Sequence, residues 1–302
     1  MADGGDDIFV YLGGEQEVPF DVTHVRIDRS VKIIPREAFQ HRHNLLSVET
    51  HDDLEKVEGC AFRNCHSLRG IKLPGVRIVE RLAFFNCEAL SDVEFGDKLE
   101  TIGESAFGGC FHLSDVGLPY VDTIGRQAFC RCRRLRCIAI PLKDSIFLFD
   151  DTNQRYSQFD DSEFLTTVDL VGGVNKTISS LLLERWRDEM NQEINRIKEV
   201  LRITPSHEKA DAIRLWIRSV TDRMEHYKAE HNTLLKEDMT QLELAVWKAK
   251  LDEKEESESG SLGGKVSEKA KIDTGIVRKD RRITSGADII IRNVLPFLQL
   301  SE

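Results

Sequence analysis

The stretch VEGCAFRNCHSLRGIKLP, residues 57–74, is one copy of a pattern that fills the first half of the chain. An apolar residue stands four positions before Ala-Phe, a cysteine follows the phenylalanine by three, and a leucine follows it by six. The phenylalanines return at intervals of 22 or 23 residues: Phe39, Phe62, Phe84, Phe107 and Phe129. A constant period of this length predicts a solenoid of stacked repeats, each packed on its neighbours.

Each copy ends in a short run of alternating apolar and polar residues, such as Ile71-Lys72-Leu73. Alternation with period two predicts a strand with one buried face, and strands one repeat apart can only pair in parallel. Matching runs at Val25 and Val168 extend the series on both sides, which gives seven strands. The Ala-Phe stretch is then predicted to cross the convex side as a helical turn, with its Phe and Cys pointing inward.

The last interval departs from the pattern. It is 30 residues long, lacks Ala-Phe, and mixes aspartates with aromatic residues: Phe147, Phe149, Tyr156, Phe159 and Phe164. Solenoids need their open core covered at the ends. This acidic, aromatic insert is therefore predicted to be a cap.

The aligned copies resemble leucine-rich repeats of the BspA-like type, whose motif runs apolar-x-x-x-Ala-Phe-x-x-Cys-x-x-Leu-x-x-Ile-x-Leu-Pro. The match covers roughly residues 20 to 171. The chain with its tail is also similar to a large, mostly uncharacterised set of such proteins in diatoms. The resemblance implies a non-enzymatic interaction role, and it supplies no substrate, cofactor or binding residues.

Charge is distributed unevenly along the chain, which has a formal net charge of −10. Residues 1–174 carry 19 Lys and Arg against 29 Asp and Glu, whereas the remainder is balanced. An acidic solenoid argues against nucleic acid or an anionic membrane as the main partner, because phosphate contacts need clustered Lys and Arg. The one basic cluster, Arg131 to Arg136, is interpreted as a solvated convex loop.

The localisation prediction rests on what the sequence lacks. No apolar run approaches the length of a membrane span, and the acidic N-terminus does not resemble a signal peptide. We therefore expect an intracellular protein, most simply a cytoplasmic one.

Seven cysteines fit that setting. Four occupy the inward position of the repeat, where small buried thiols are expected to stay reduced: Cys65, Cys87, Cys110 and Cys132. The alternative is a metal site at Cys130, Cys132 and Cys137, but Cys-x-Cys-x4-Cys is not a zinc-finger spacing. We predict no metal ligands and no cofactor.

The outward positions of the seven strands define a surface that we call the recognition strip. It consists of Arg26, Glu49, Lys72, Glu94, Gly117, Ala139 and Asp169. The signs alternate over the first four strands, so these neighbours can pair with one another. The strip is either a row of charges that pair only with one another or a surface that recognises a partner. The sequence leaves both interpretations open.

The sequence pattern changes after Gly173. Residues 175–251 show helical spacing on both sides of a break at Thr204-Pro205-Ser206, which predicts a helical hairpin. A heptad series in the second helix also permits a coiled-coil dimer: Ile213, Ile217, Val220, Met224, Tyr227, His231 and Leu234. Residues 252–284 are predicted to be a flexible linker, and residues 285–302 a short apolar docking helix.

The sequence therefore predicts a mixed α/β chain: a lead (1–20), a leucine-rich-repeat solenoid with a short-stranded parallel sheet and a cap (21–174), and a C-terminal α-helical hairpin. No catalytic motif is present. We expect an intracellular scaffold or adaptor that binds a protein through the concave face, and neither nucleic acid nor membrane. The alternative is a structural homo-oligomer assembled through the C-terminal helices.

Overall fold

The computed structural model describes residues 8–14, 16–148, 157–181 and 183–259. The chain divides into two compact units. The first comprises Met1–Ser179 and Glu184–Met224, and the second comprises Ser180–Leu183 and Glu225–Glu302. The first unit contains the repeats and the beginning of the helical region.

The seven predicted strands and one further strand that precedes them form parallel sheets on one side of the repeats. They are β1 (Ile8–Tyr11), β2 (His24–Ile27), β4 (Ser47–Glu49), β6 (Gly70–Leu73), β8 (Asp92–Phe95), β10 (Asp115–Gly117), β12 (Cys137–Pro141) and β13 (Thr167–Val171). Hydrogen bonding links β1, β2, β4, β6 and β8 in one sheet and β10, β12 and β13 in another, so the ladder is interrupted between β8 and β10. The parallel strands of the predicted solenoid are confirmed.

Two corrections concern the strands. β1 pairs with β2 in register, Tyr11 opposite Ile27, so the sheet begins inside the predicted N-terminal lead. A further parallel sheet, made of two-residue strands and called the second sheet below, was not predicted. It contains β3 (Ile33–Ile34), β5 (Lys56–Val57), β7 (Ile78–Val79), β9 (Thr101–Ile102) and β11 (Thr123–Ile124). Each of these strands contains the apolar residue that stands four positions before Ala-Phe, but two residues are too short to show the alternation that indicates a strand.

The Ala-Phe segment does not form the predicted helical turn. It is a run of tight turns, such as Cys65 N to Phe62 O at 3.2 Å, that also bonds to the next repeat, with Phe62 N donating to Ala83 O at 2.7 Å. Residues two positions before and two after the phenylalanine have positive φ, as in Cys60 (60°) and Asn64 (61°). This backbone bends around the phenylalanine and leaves its amide free to pair with the neighbouring repeat.

The core consists of columns of equivalent side chains. The phenylalanine rings stack nearly parallel, with centroids 4.9 to 5.6 Å apart. The four inward cysteines, which we call the ladder cysteines, are Cys65, Cys87, Cys110 and Cys132. Each donates its S–H to the carbonyl of the phenylalanine in the preceding repeat, for example Cys87 Sγ to Phe62 O at 3.1 Å. All four ladder cysteines are buried and free. A further buried column follows the longer strands and precedes the two-residue strands in each repeat: Val31, Leu54, Val76, Leu99 and Val121.

The irregular last interval contains a sixth repeat. The Phe159 ring continues the stack, 6.1 Å from Phe129, and Ser162 stands where the earlier repeats have cysteine. Phe147 extends the second sheet through a bridge to Ile124 and packs edge-on against Phe159. Phe164, by contrast, is 62% exposed. Phe149 and Tyr156 lie outside the described residues.

The helical region contains α1 (Val174–Ser179), α2 (Glu184–Ile203), a 3₁₀ turn (Ser206–Glu208) and α3 (Lys209–Ser259). The first predicted helix is thus divided. Thr177 and Ser179 hydroxyls bond to the carbonyls four residues back, Gly173 and Asn175, and such side chains compete with the backbone where α1 ends. α3 also runs past residue 252, where the linker was predicted to start. The rest of the linker and the docking helix lie outside the described residues.

Within the first unit, α2 and the start of α3 pack together. The buried residues of α2 are Trp186, Met190, Glu193, Ile197 and Leu201, and those of α3 include Ile213, Trp216, Ile217, Val220 and Met224. Trp216 Nε1 donates to Glu193 O at 2.9 Å. The break at Pro205 and the buried faces of both helices follow the sequence prediction, although the buried Glu193 does not.

A buried lysine joins the helices to the last repeat. The ammonium of Lys209, at the start of α3, donates to the carbonyls of Ser162, Glu163 and Leu165, the last at 2.7 Å. The amide of Asp161 donates to Ser206 Oγ at 3.2 Å. These bonds join the start of the helical hairpin to backbone groups of the last repeat.

Candidate protein-binding surface

Alternation along the strands places the recognition strip on the outward face. In β6, Ile71 and Leu73 are buried while Lys72 between them is exposed. The outward residues of β2, β4, β8, β10 and β13 are exposed as well, and Ala139 in β12 is half-buried. The seven predicted residues therefore share one face of the sheets.

The first four strip residues form two separate ion pairs. Arg26 Nε lies 2.5 Å from Glu49 Oε2, and Lys72 Nζ lies 2.8 Å from Glu94 Oε2. The hydrogen bond to Glu94 raises the pKa of Lys72. All four side chains are more than half exposed, and exposed pairs contribute little to stability because solvent and salt screen them. The four charges therefore have partners within the strip, but these ion pairs are weak enough for contacts with a bound protein to replace them.

The last three strip residues have a different character. Gly117 pairs in register with Ala139, and Ala139 with Asp169. A Cβ atom added at Gly117 would meet no heavy atom within 4 Å. Over these two small residues the backbone of the sheet is open to approach by another molecule.

Beside this small-residue patch lies one half-buried thiol, Cys137. Its Sγ lies 3.4 Å from Asp169 Oδ2 and donates to it. Burial, followed by the neighbouring Asp169 carboxylate, raises the pKa of Cys137 to about 12. The thiol therefore stays protonated near neutral pH, and it is a weak nucleophile there.

The structure also shows surface residues that the sequence analysis missed. Val10 in β1 pairs with Arg26 in register and is 41% exposed, so the strip continues by one apolar position. The second sheet carries its own ion pairs, among them Lys56 with Glu80 at 2.6 Å and Arg77 with Glu100 at 2.7 Å. A signal was available in the recurring Lys, Arg and Glu residues just outside each Ala-Phe copy, but nothing assigned them to a strand.

Among the described residues, no three His, Cys, Asp or Glu side chains are grouped so that they could hold a metal ion. Cys130 and Cys132 are buried, whereas Cys137 lies on the outward face. None of the helices in the described ranges combines the length and apolar character needed to cross a membrane.

The stacked parallel strands, the phenylalanine and thiol columns and the exposed strip define a leucine-rich-repeat solenoid with a helical C-terminal region. Residues 21–151 match the family model described as "BspA type Leucine rich repeat region (6 copies)". This match covers less than half of the chain, and the repeats within it resemble leucine-rich repeats of the BspA type.

Solved structures with a similar arrangement include three bacterial proteins. A leucine-rich repeat protein from T. pallidum is 25% identical, with a TM-score of 0.41, over 48% of this chain and 68% of that one. One from Bacteroides ovatus is 22% identical, with a TM-score of 0.38, over 50% and 47%. A leucine-rich cell surface protein from Faecalibacterium prausnitzii is 20% identical, with a TM-score of 0.30, over 50% and 60%. No curated protein matches the sequence.

Proposed function

We propose that this chain is a non-catalytic, intracellular scaffold or adaptor that binds a protein partner through the recognition strip. The observation that carries the proposal is the pairing of Gly117 with Ala139 in the middle of an exposed parallel sheet. A partner side chain can approach the backbone there, and the flanking ion pairs supply polar contacts for orientation. The repeats supply a rigid frame, which lowers the entropic cost of binding.

The buried thiols support the intracellular part of the proposal. Six of the seven cysteines are buried, and all seven are free. Stable disulfides are typical of secreted repeat domains, whereas reduced thiols are typical of cytosolic ones. Fractionation of native cells, followed by detection of the chain, tests this part directly.

Partner capture from a native lysate tests the binding face. The variants Glu94→Lys and Ala139→Trp should each reduce recovery of the partner, because the first reverses a charge of the strip and the second fills the open patch. Matched controls are Glu100→Lys, directly before β9 of the second sheet, and Ala249→Trp on α3, and these should retain the partner. Full recovery with the strip variants would place the interface elsewhere.

A homo-oligomer assembled through the helices is the second candidate. It is favoured by apolar side chains of α3 that are exposed in the described residues, including Trp247 at 61%. Light scattering of the full chain separates the two candidates, since an adaptor has the mass of one chain and the oligomer a multiple of it.

A further inference from the structure

The second unit exposes an apolar line on α3. Leu235, Met239, Leu242 and Val246 follow one another at intervals of four, three and four residues, so they lie along one side of the helix. Leu235 and Met239 are half-buried, while Leu242 is 48% and Val246 37% exposed. We call these four residues the α3 seam.

The same length of helix provides an internal comparison. Leu244 and Leu251 are also exposed, at 63% and 49%. Each residue of an α-helix advances by about 100°, so Leu244 lies about 200° from Leu242, on the opposite side. The seam can therefore be tested against leucines of the same helix that do not belong to it.

A candidate occupant is present in the sequence beyond Ser259. Residues 289–298 contain seven apolar residues: Ile289, Ile290, Ile291, Val294, Leu295, Phe297 and Leu298. This segment lies outside the described residues. An apolar surface of this density is one that proteins in water usually bury against another surface.

Distances permit the segment to reach the seam within one chain. From Ser259 back to Val246 the helix spans about 20 Å, at about 1.5 Å per residue. The connection of residues 260–288 would, as a coil, have an end-to-end distance of about 30 Å. The two values are comparable. Residues 260–288 are therefore long enough to reach the seam, yet short enough to keep the local concentration of residues 289–298 high.

Concentration then favours this segment over a second copy. A tether of suitable length holds its end at an effective concentration on the order of millimolar. A second chain at the micromolar concentrations of solution experiments is about a thousandfold more dilute by comparison. The segment of the same chain is thus the occupant with the smaller entropic cost.

We propose that residues 289–298 cover the α3 seam of their own chain through contacts with Leu242 and Val246. The bare seam would then be the surface on which two chains associate when the segment is removed. This proposal is independent of the recognition strip and holds or fails whatever the partner of the strip is.

Photo-crosslinking of the full chain tests the proposal. The probe, p-benzoylphenylalanine, replaces Leu242 in one protein and Leu244 in a matched control. After irradiation, the Leu242 position should give an adduct that retains the mass of one chain. Trypsin should release this adduct linked to residues 283–292 or 293–302, and the Leu244 position should not form it.

Three outcomes would overturn the proposal. They are an adduct with the mass of two chains, equal adducts from both positions, and an adduct from Leu242 that never contains residues 283–302. The first would identify a second copy as the occupant. The second and third would show that the segment does not recognise the seam.

Truncation provides the second measurement. Deleting residues 283–302 should expose the seam, so light scattering should show self-association of the shortened protein while the parent has the mass of one chain. Leu242→Asp in the shortened protein should abolish that association, and Leu244→Asp should not. A dimeric parent that becomes monomeric on truncation contradicts the proposal, because the segment would then join two chains.

Discussion

The hydroxyl of Ser162 donates a hydrogen bond to the carbonyl of Phe129, with 2.7 Å between the two oxygens. In the preceding repeat, Cys132 Sγ donates in the same way to Phe107 O at 3.2 Å. Ser162 Oγ also accepts from Cys132 N at 3.0 Å. The last repeat thus keeps the inter-repeat bond of the motif with a different donor, which explains how the stack continues through an interval without Ala-Phe.

We expect Ser162→Ala to lower the free energy of unfolding by about 1–3 kcal/mol, because it leaves a buried amide and a buried carbonyl without partners. Ser162→Cys restores the donor used by the other repeats and should recover a substantial part of the loss. Urea unfolding of the three proteins measures the difference. An alanine variant as stable as the parent would show that this bond is dispensable.

The phenylalanine column gives a second prediction. Phe84 is stacked between Phe62 and Phe107 at 5.0 and 5.1 Å, so Phe84→Ala should lower the free energy of unfolding by about 3–5 kcal/mol through the cavity it leaves. Phe164→Ala, at an exposed site, is the matched control and should change it by less than about 0.5 kcal/mol. Equal effects in thermal unfolding would contradict the inward placement of the column.

The reactivity of the cysteines gives a third prediction. Burial raises the pKa of Cys87 and of Cys132 well above the ordinary value, so they should resist iodoacetamide until the protein unfolds. Cys65 and Cys110, which are buried in the same column, should behave alike. Mass spectrometry of native and denatured samples measures the extent of alkylation at each cysteine. A ladder cysteine found in a disulfide in the untreated protein would contradict the column and the proposed reducing location.

Cys137 should respond to its neighbour Asp169. The Asp169 carboxylate opposes ionisation of the thiol, so Asp169→Asn should lower the pKa of Cys137 and speed its alkylation at pH 8. Asp115→Asn is the control, since Asp115 contributes less to the raised pKa and should have the smaller effect. An unchanged alkylation rate in the Asp169 variant would mean that burial alone protects the thiol.

Lys209 gives a fifth prediction. Lys209→Met removes the donor to three carbonyls at the end of the solenoid and should lower the free energy of unfolding by about 1–3 kcal/mol. Lys236→Met, at an exposed position on α3, should be nearly neutral. If both variants unfold at the same urea concentration, the Lys209 bonds do not stabilise the junction.

The same residue should also make stability depend on pH. Burial lowers the pKa of Lys209 below its ordinary 10.5, although Glu163 opposes the shift. The unfolded chain then binds this proton more tightly than the folded one, so the Lys209 contribution to stability rises with pH from the lowered pKa towards about 10.5. Urea unfolding at pH 8 and pH 10 should show a smaller rise for Lys209→Met than for the parent. A larger rise in the variant would contradict the lowered pKa of Lys209 in the folded protein.

The sequence by itself determined the repeat, its period and the identity of its inward columns. Phe62, Cys65 and Leu68 recur at fixed offsets, and stacking at one repeat per layer forces equivalent residues into contact. The strand alternation in turn fixed which residues of the strip face outward, such as Lys72 between Ile71 and Leu73. These features are local and periodic, and a linear pattern is sufficient to specify them.

Only the tertiary structure decided the parts that depend on contacts between distant residues. The second sheet exists because two-residue strands such as Lys56–Val57 pair with their equivalents one repeat away, and the single recurring apolar residue in each does not by itself indicate a strand. Phe159 and Ser162 join the columns across an interval of different length, and Lys209 meets carbonyls more than forty residues earlier in the chain. Such bonds depend on which backbone groups lie beside the start of α3, and that is settled only when the repeats have stacked.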